Sequence, residues 1–338
     1  MKKIIFLTNY KNIIPQRSNE IEGLKLNIVS DVLKAEGFHC EEMTINEFVL
    51  QLNEQENIDG VYFFYTSSQY PIYKSYILDI LLQIKLRGGI LIPELRHFIS
   101  HENKNFQELE KVRLGIKSPY GIPFGTYEEG LEALSNTSYP VVLKRATGFR
   151  SRNVKLANNT EEGKQILSKL LERNLKFNRD SLYYLYRRLK NKKHYPKRFG
   201  KIIIQEFLPN LTHDWKILVF GNCCIGGKRF VKKNDFRASG SKLYSLEQDP
   251  PDSVLSFALR NKQILECPNI SMDISENQGD IQLLEYQTMH FSLLAWKSIH
   301  YFEFEDGSWK KKLITNELEY YMGLGINEHI KNLENNSI

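Results

Sequence analysis

Asn234-Asp235-Phe236-Arg237-Ala238-Ser239-Gly240-Ser241-Lys242 follows a basic strand, Gly227-Lys228-Arg229-Phe230-Val231, and precedes an acidic strand that ends in Glu285. Cations come first along the chain and carboxylates after them. That order suits a site where Lys and Arg hold a polyphosphate while carboxylate-bound metal ions neutralise the same phosphates from the other side. The small residues of Ala238-Ser239-Gly240-Ser241 suit a wall that lets a ligand approach the backbone, or equally a plain loop. The pattern points to nucleotide chemistry.

Bulk properties permit this. The chain has 338 residues, 41% hydrophobic and 25% charged, an ordinary globular composition with room for two or three packed units. The net charge of +6 is modest, and the basic residues concentrate between Lys176 and Lys201 and between Lys228 and Lys242. A local anionic partner fits that distribution better than a nucleic-acid coat. Cys40, Cys223, Cys224 and Cys267 show no C-x-x-C spacing and are expected to be reduced and buried. The apolar run Ile4-Ile5-Phe6-Leu7 stops at Thr8-Asn9, too short for a signal sequence, and no later segment is expected to span a bilayer. The expected location is the cytoplasm.

Periodicity predicts a strand at Lys3 to Thr8, an amphipathic helix at Gly23 to Glu36 and a second strand at Gly60 to Tyr65, a β-α-β opening. A helix carrying Tyr76, Ile77, Ile80, Leu81 and Ile84 follows, broken at Gly88-Gly89 before a strand at Ile90 to Pro93. Beyond this small α/β unit the pattern becomes α+β. It gives a helix at Asn105 to Leu114, a turn at Gly121-Ile122-Pro123, a helix at Glu128 to Ser135 and a strand at Val141 to Lys144. The polar loop from Arg145 to Val154 either closes over phosphates or is a solvated basic turn. Between Leu175 and Gly200, tyrosines interleave with Lys and Arg without a periodic face, which favours a solvated helix over a nucleic-acid surface.

Ile202-Ile203-Ile204-Gln205-Glu206-Phe207-Leu208-Pro209 is an apolar strand whose exit leaves backbone groups able to bond a flat heterocycle. Asp214 to Asn222 alternates as a strand, and Cys223 to Val231 pairs back as a hairpin. Period two puts Ile281, Leu283, Glu285 and Gln287 on one face of a later strand, with Gln282, Leu284 and Tyr286 on the other. Asp273, across the Gly279-Asp280 turn, can face Glu285. Two carboxylates and an amide oxygen suit hard Mg²⁺, although a carboxylate pair held by nearby Arg or Lys would look the same.

In this order the motifs resemble the ATP-grasp superfamily, in the branch of glutathione synthetase, D-alanine-D-alanine ligase and the ribosomal-protein glutamate ligases. The resemblance covers roughly residues 101 to 325. It implies an α/β and α+β architecture: a small α/β pre-ATP-grasp domain over residues 1–100 and an ATP-grasp domain over 101–330. The latter would divide into a lid at about 118–208 and a catalytic part at about 209–330. Lys104 resembles the early nucleotide-binding lysine and Lys144 the second phosphate lysine, with Gly148 and Ser151 in the mobile phosphate loop. Gln205 and Glu206, with the backbone of Phe207 and Leu208, resemble the adenine hinge, and Asp214 the acidic residue at the ribose. Lys228, Arg229 and Arg237 look like the cations at the phosphates and acyl intermediate, and Asp273, Glu285 and Gln287 like the metal ligands.

The resemblance implies ATP and Mg²⁺ (or Mn²⁺) as cofactors and a ligase that joins a small-molecule or peptide carboxylate to an amine through an acylphosphate. A kinase of the same fold and a non-catalytic nucleotide-binding protein are the alternatives. Two departures stand out. Arg150 and Arg152 replace small residues in the phosphate loop, and Gln287 stands where an Asn is common.

Overall fold

The computed structural model describes residues 2–15, 22–53, 57–146, 153–173, 186, 190, 198–233, 235–290 and 295–336. The chain forms two compact units, one made of Met1–His101 with Thr212–Ile338 and the other of Glu102–Leu211. The architecture is mixed α/β.

The first unit opens with β1 (Lys2–Thr8), α1 (Leu26–Ala35), β2 (Phe38–Thr44), α2 (Ile45–Asn53), β3 (Tyr62–Tyr65), α3 (Pro71–Leu86), β4 (Ile90–Ile92) and α4 (Leu95–Ser100). The strands form a parallel sheet in the order β2-β1-β3-β4. Both faces of β1 are buried, so its run of Ile4, Ile5, Phe6 and Leu7 is continuous rather than alternating. The periodicity passes over β2 and α2. The sequence Phe38-His39-Cys40-Glu41-Glu42-Met43-Thr44 sits at the sheet's edge, where polar side chains are tolerated and the apolar signal is weak.

The second unit contains α5 (Lys104–Arg113), β5 (Gly121–Thr126), α6 (Tyr127–Ser135), β6 (Val141–Arg145), β7 (Val154–Ala157), α7 (Thr160–Leu170), β8 (Glu172–Arg173) and β9 (Arg198–Glu206). Its antiparallel sheet runs β5-β9-β6-β7, with β8 also on β9. Thr126 starts α6 through a capping box with Glu129, and the Asn159 side chain caps α7 by accepting from the Glu162 N–H. Leu134 and Leu167 of these helices bury against Leu143, Ile202 and Ile204 of the sheet. Gly121-Ile122-Pro123 is a strand, not the expected turn. Pro123 lacks an N–H, but β5 pairs with β9 alone, and a strand with one partner can spare that donor.

The chain then returns to the first unit as β10 (His213–Phe220), β11 (Cys223–Phe230), β12 (Tyr244–Ser245), α8 (Asp252–Leu265), β13 (Asn269–Asn277), β14 (Asp280–Gln287), β15 (His300–Glu305), β16 (Ser308–Leu313) and α9 (Leu318–Asn335). These strands form an antiparallel sheet in the order β14-β13-β10-β11-β15-β16, with β12 on β11. Leu218 and Phe220 of β10 share one core with Ile4 and Phe6 of β1, Val29 and Leu33 of α1, and Met322, Ile326 and Ile330 of α9. The first hundred residues therefore belong to a larger unit, with one core of their own and one shared with the later segment. Among the described residues no helix is long and apolar enough to cross a membrane.

Helix α9 seats closely on the turn between β10 and β11. A Cβ at Gly325 would lie 2.8 Å from both the Gly221 backbone nitrogen and the Pro268 carbonyl oxygen, and 2.3 Å from Asn269 Oδ1. Alanine favours a helix interior by about 1 kcal/mol over glycine, but overpacking against backbone costs about 1–3 kcal/mol. Gly325→Ala is expected to lower the urea midpoint; an unchanged or raised midpoint would show that this contact does not constrain α9.

Candidate functional site

Strand alternation places Asp214 and Lys216 on one face of β10 and Trp215 on the other. Register then aligns Asp214 with Arg229 of β11 and Lys216 with Asp273 of β13, and Asp273 with Glu285 of β14. Four strands thus deliver five charged residues to one patch. Leu218 and Phe220 continue the same face of β10 into the core.

Within the patch the partners are specific. Arg229 donates through Nε to Asp214 Oδ1 and through Nη2 to Asp214 Oδ2, both at 2.7 Å. The same Nη2 reaches Asp273 Oδ2 at 2.8 Å. Lys216 Nζ donates to Asp273 Oδ1 at 2.7 Å and to Gln287 Oε1 at 3.2 Å, and Gln287 Nε2 donates to Glu285 Oε1 at 2.9 Å.

Two carboxylates and two cations make the Asp214-Arg229-Asp273-Lys216 set neutral. Burial opposes ionisation of Asp273, but Arg229 and Lys216 outweigh it and hold its carboxyl well below the usual carboxylate range. Burial has the opposite outcome at Asp214, whose carboxyl is raised despite Arg229, with the negative charge of Asp273 adding to the rise. Arg229 is driven further toward its charged form, its own burial overcome by Asp273 and Asp214.

Glu285 and Gln287 project together, as period two requires, but not with Leu283. A bulge in β14 moves the pairing from Asp273–Glu285 to Ile274–Leu283, leaving Leu284 as an extra residue. Leu283 and Tyr286 are both buried, three positions apart, so the strict alternation expected along this strand is broken.

The remaining cations separate. Lys228 follows the alternation of β11 to the face opposite Arg229, with its Nζ 5.2 Å from the Trp215 ring and 5.7 Å from that of Phe230. Arg237 forms a two-pronged pair with Asp235, Nε to Oδ1 and Nη2 to Oδ2, each 2.9 Å. That guanidinium holds the Asp235 carboxyl down to about 2. Tyr244, opposite Arg229 in the β11–β12 pairing, carries a buried hydroxyl with no hydrogen-bond partner among the described residues. Gly227 makes room for it, since a Cβ there would lie 2.0 Å from Tyr244 Oη.

The second unit holds its own polar chain. Lys144 of β6 donates to Gln205 Oε1 of β9, Gln205 Nε2 donates to Glu108 Oε1 at 3.2 Å, and Lys111 Nζ donates to the same Glu108 oxygen at 2.8 Å. Lys144 pairs with Ile203 in register, so Gln205, two residues on, shares its face. Glu206 is exposed and its N–H donates to Tyr120 O at 2.8 Å, while Phe207 and Leu208 leave the strand half-buried. Lys104 begins α5, its N–H bonded to Ala146 O at 3.1 Å. Gly148, Ser151 and nearly all of the Tyr-rich segment 175–200 lie outside the described residues.

Asp273, Glu285 and Gln287 present only oxygen donors on one face, the chemistry a hard divalent cation takes. Among the described residues no group of three or more His, Cys, Asp and Glu is placed to hold a metal, so any cation here rests on two carboxylates and an amide. Sequence reasoning overlooked Lys216 and Tyr244. A lysine two residues after Asp214 in an otherwise apolar strand was the available signal for the first. Tyr244 has none, because β12 is only two residues long.

Removing one partner from a buried ion pair costs about 3–5 kcal/mol because the other charge is left uncompensated. Arg229→Met takes both bonds from Asp214 and leaves Asp273 with Lys216, and is expected to lower stability by about that amount, measured by chemical denaturation. A loss below about 1 kcal/mol, the worth of an exposed pair, would show that the cluster is solvated.

No protein-family profile and no curated protein matches the sequence. Comparison of structures does find relatives. D-alanine–D-alanine ligase from Bacillus anthracis complexed with ATP is 13% identical, aligned over 99% of this chain and 100% of that one, with a TM-score of 0.52. D-cycloserine synthetase DcsG is 11% identical over 96% and 99%, with a TM-score of 0.53. The ATP-grasp ligase PsnB complexed with minimal precursor, Mg and ADP is 12% identical over 97% and 98%, with a TM-score of 0.51. Agreement at such low identity is agreement of fold, and the chain shares the fold of these ligases.

Proposed function

We propose that the protein is an ATP-dependent carboxylate–amine ligase. The observation that carries this is the patch in which Asp273, Glu285 and Gln287 stand beside Lys216 and Arg229 on one face of an ATP-grasp sheet. Polyphosphate chemistry requires both signs of charge, cations for the phosphate oxygens and carboxylates for the accompanying metal.

In this reading Lys144 and Lys104 contact the phosphates, and Gly148 and Ser151 belong to the same binding set. Adenine is received by Gln205, Glu206 and the backbone of Phe207 and Leu208. Asp273, Glu285 and Gln287 hold Mg²⁺, which when bound neutralises charge on the transferring phosphoryl group. Asp214 acts through Arg229, fixing its guanidinium, because both its oxygens are engaged there. Arg237, oriented by Asp235, takes the substrate carboxylate or the acylphosphate.

The chemistry proceeds in two displacements. A carboxylate oxygen of the acid bonds to the γ-phosphorus as the bond to the β–γ bridging oxygen breaks, releasing ADP. The amine nitrogen then bonds to the acyl carbon as its bond to the phosphate oxygen breaks, releasing phosphate, and the amine loses a proton. Exclusion of water protects the acylphosphate between the steps. The substrate classes are a small-molecule or peptide acid and an amine. The cytoplasm supplies ATP, and four unpaired cysteines are in keeping with its reducing conditions.

ADP release is expected to require both an acid and an amine, measured by a coupled assay across panels of each. A phosphorylated product formed without amine would establish a kinase instead, and binding without turnover would remove the enzyme reading. Glu285→Ala is expected to abolish turnover with the fold intact, since the lost carboxylate attracts the metal; wild-type activity at ordinary Mg²⁺ would sink that assignment. Lys144→Met should weaken ATP binding by about 1.5–3 kcal/mol, as for a hydrogen bond to a charged group. Unchanged affinity by calorimetry would place the phosphates elsewhere.

A further inference from the structure

We propose that Lys216 is a resident counter-ion that a divalent cation must displace, and that this exchange couples metal binding to nucleotide binding. The inference rests on the assignment of Asp273, Glu285 and Gln287 as metal ligands. Lys216 Nζ lies 2.7 Å from Asp273 Oδ1 and 3.2 Å from Gln287 Oε1, touching two of the three ligands at once. The other oxygen of Asp273 is held by Arg229 at 2.8 Å. An ion ligated by Asp273 and Gln287 together would take Oδ1, the oxygen that shares the Lys216 ammonium with Gln287 Oε1. Metal–oxygen distances are about 2.0–2.1 Å for Mg²⁺, so an ion bound to both oxygens would fall in the space that the ammonium fills between them.

The two cations differ in their freedom to leave. Arg229 is fixed by two bonds to the buried Asp214. Lys216 is a compact charge on a flexible four-carbon stem, held by one carboxylate oxygen and one amide oxygen. A metal arriving alone would strand this buried ammonium without a partner. A metal arriving with a polyphosphate supplies the ammonium with new oxygens as it takes the old ones. The metal is thus disfavoured alone and favoured with its nucleotide, and by reciprocity the nucleotide gains equally from the metal.

The test uses Mn²⁺ as the probe, with free ion measured by electron paramagnetic resonance in the absence and presence of ADP. Lys216→Met, and Lys216→Gln, which keeps a donor for Asp273 and guards against misfolding, are expected to bind Mn²⁺ alone at least about tenfold tighter than wild type. They should also show a smaller gain in Mn²⁺ affinity on adding ADP. Lys228→Gln removes the same charge from the opposite face and is expected to change Mn²⁺ affinity less than about threefold. If wild type binds Mn²⁺ with ADP, loses it in Glu285→Ala, and the Lys216 variants bind the ion alone no tighter, the counter-ion role is overturned and the metal site stands. An equal gain in Lys228→Gln also overturns it, because bulk charge then explains the effect. Mn²⁺–ADP binding indifferent to Glu285→Ala overturns the metal assignment and this inference with it.

Discussion

Two carboxylates, Asp214 and Asp273, are buried on neighbouring strands, and neither can stay there charged without a cation. Arg229 meets both, with two contacts to one and a third to the other, and Lys216 completes the neutralisation. Much of the sheet's local design follows from that requirement. Strand β11 must carry an arginine directly across from Asp214, and β10 a lysine directly across from Asp273. Gly227 stays bare so that Tyr244 can close over the same face. Arg229 is tied by three contacts and Lys216 by two, the difference on which the proposed exchange with an incoming cation rests.

The same face of the sheet does two jobs along its length. Toward the start of β10 it is polar and neutral in sum, and toward its end Leu218 and Phe220 pass into the core shared with β1, α1 and α9. A candidate site built on adjacent strands of a packed sheet is held more closely than one built on loops. Arg237 and Asp235 lie outside that frame, on a connection between β11 and β12, and keep their geometry through their own two-pronged pair.

Legibility in the sequence followed apolar contrast. The buried strand Lys2–Thr8, the helix Pro71–Leu86 and the strand Arg198–Glu206 carry strong apolar runs and are visible without coordinates. The edge strand Phe38–Thr44 is half polar and is not. At the site, Asp273 opposite Glu285 follows from a hairpin with a recognisable turn, and the register pairs them. The side of Lys228 was not legible, because assigning adjacent cations to one ligand ignores the alternation that sends Lys228 and Arg229 to opposite faces. Nor was the bulge at Leu284, which no composition cue marks. Lys216 was hidden because its meaning lies in a partner 57 residues away.

The shared core of β1, α1, β10 and α9 also bears on how the polypeptide is made. Residues 102–211 are inserted between two halves of a unit whose interior neither half fills alone. During synthesis, domains generally fold as they emerge, N-terminal first. Here the apolar surface of Ile4 and Phe6 that faces the shared core must wait while the inserted unit is translated and can complete its own interior. Their partners Met322 and Ile326 follow the inserted unit along the chain. The inserted unit can thus finish folding before the unit bearing the charged patch, which closes only after its second segment, from Thr212 onward, has been made.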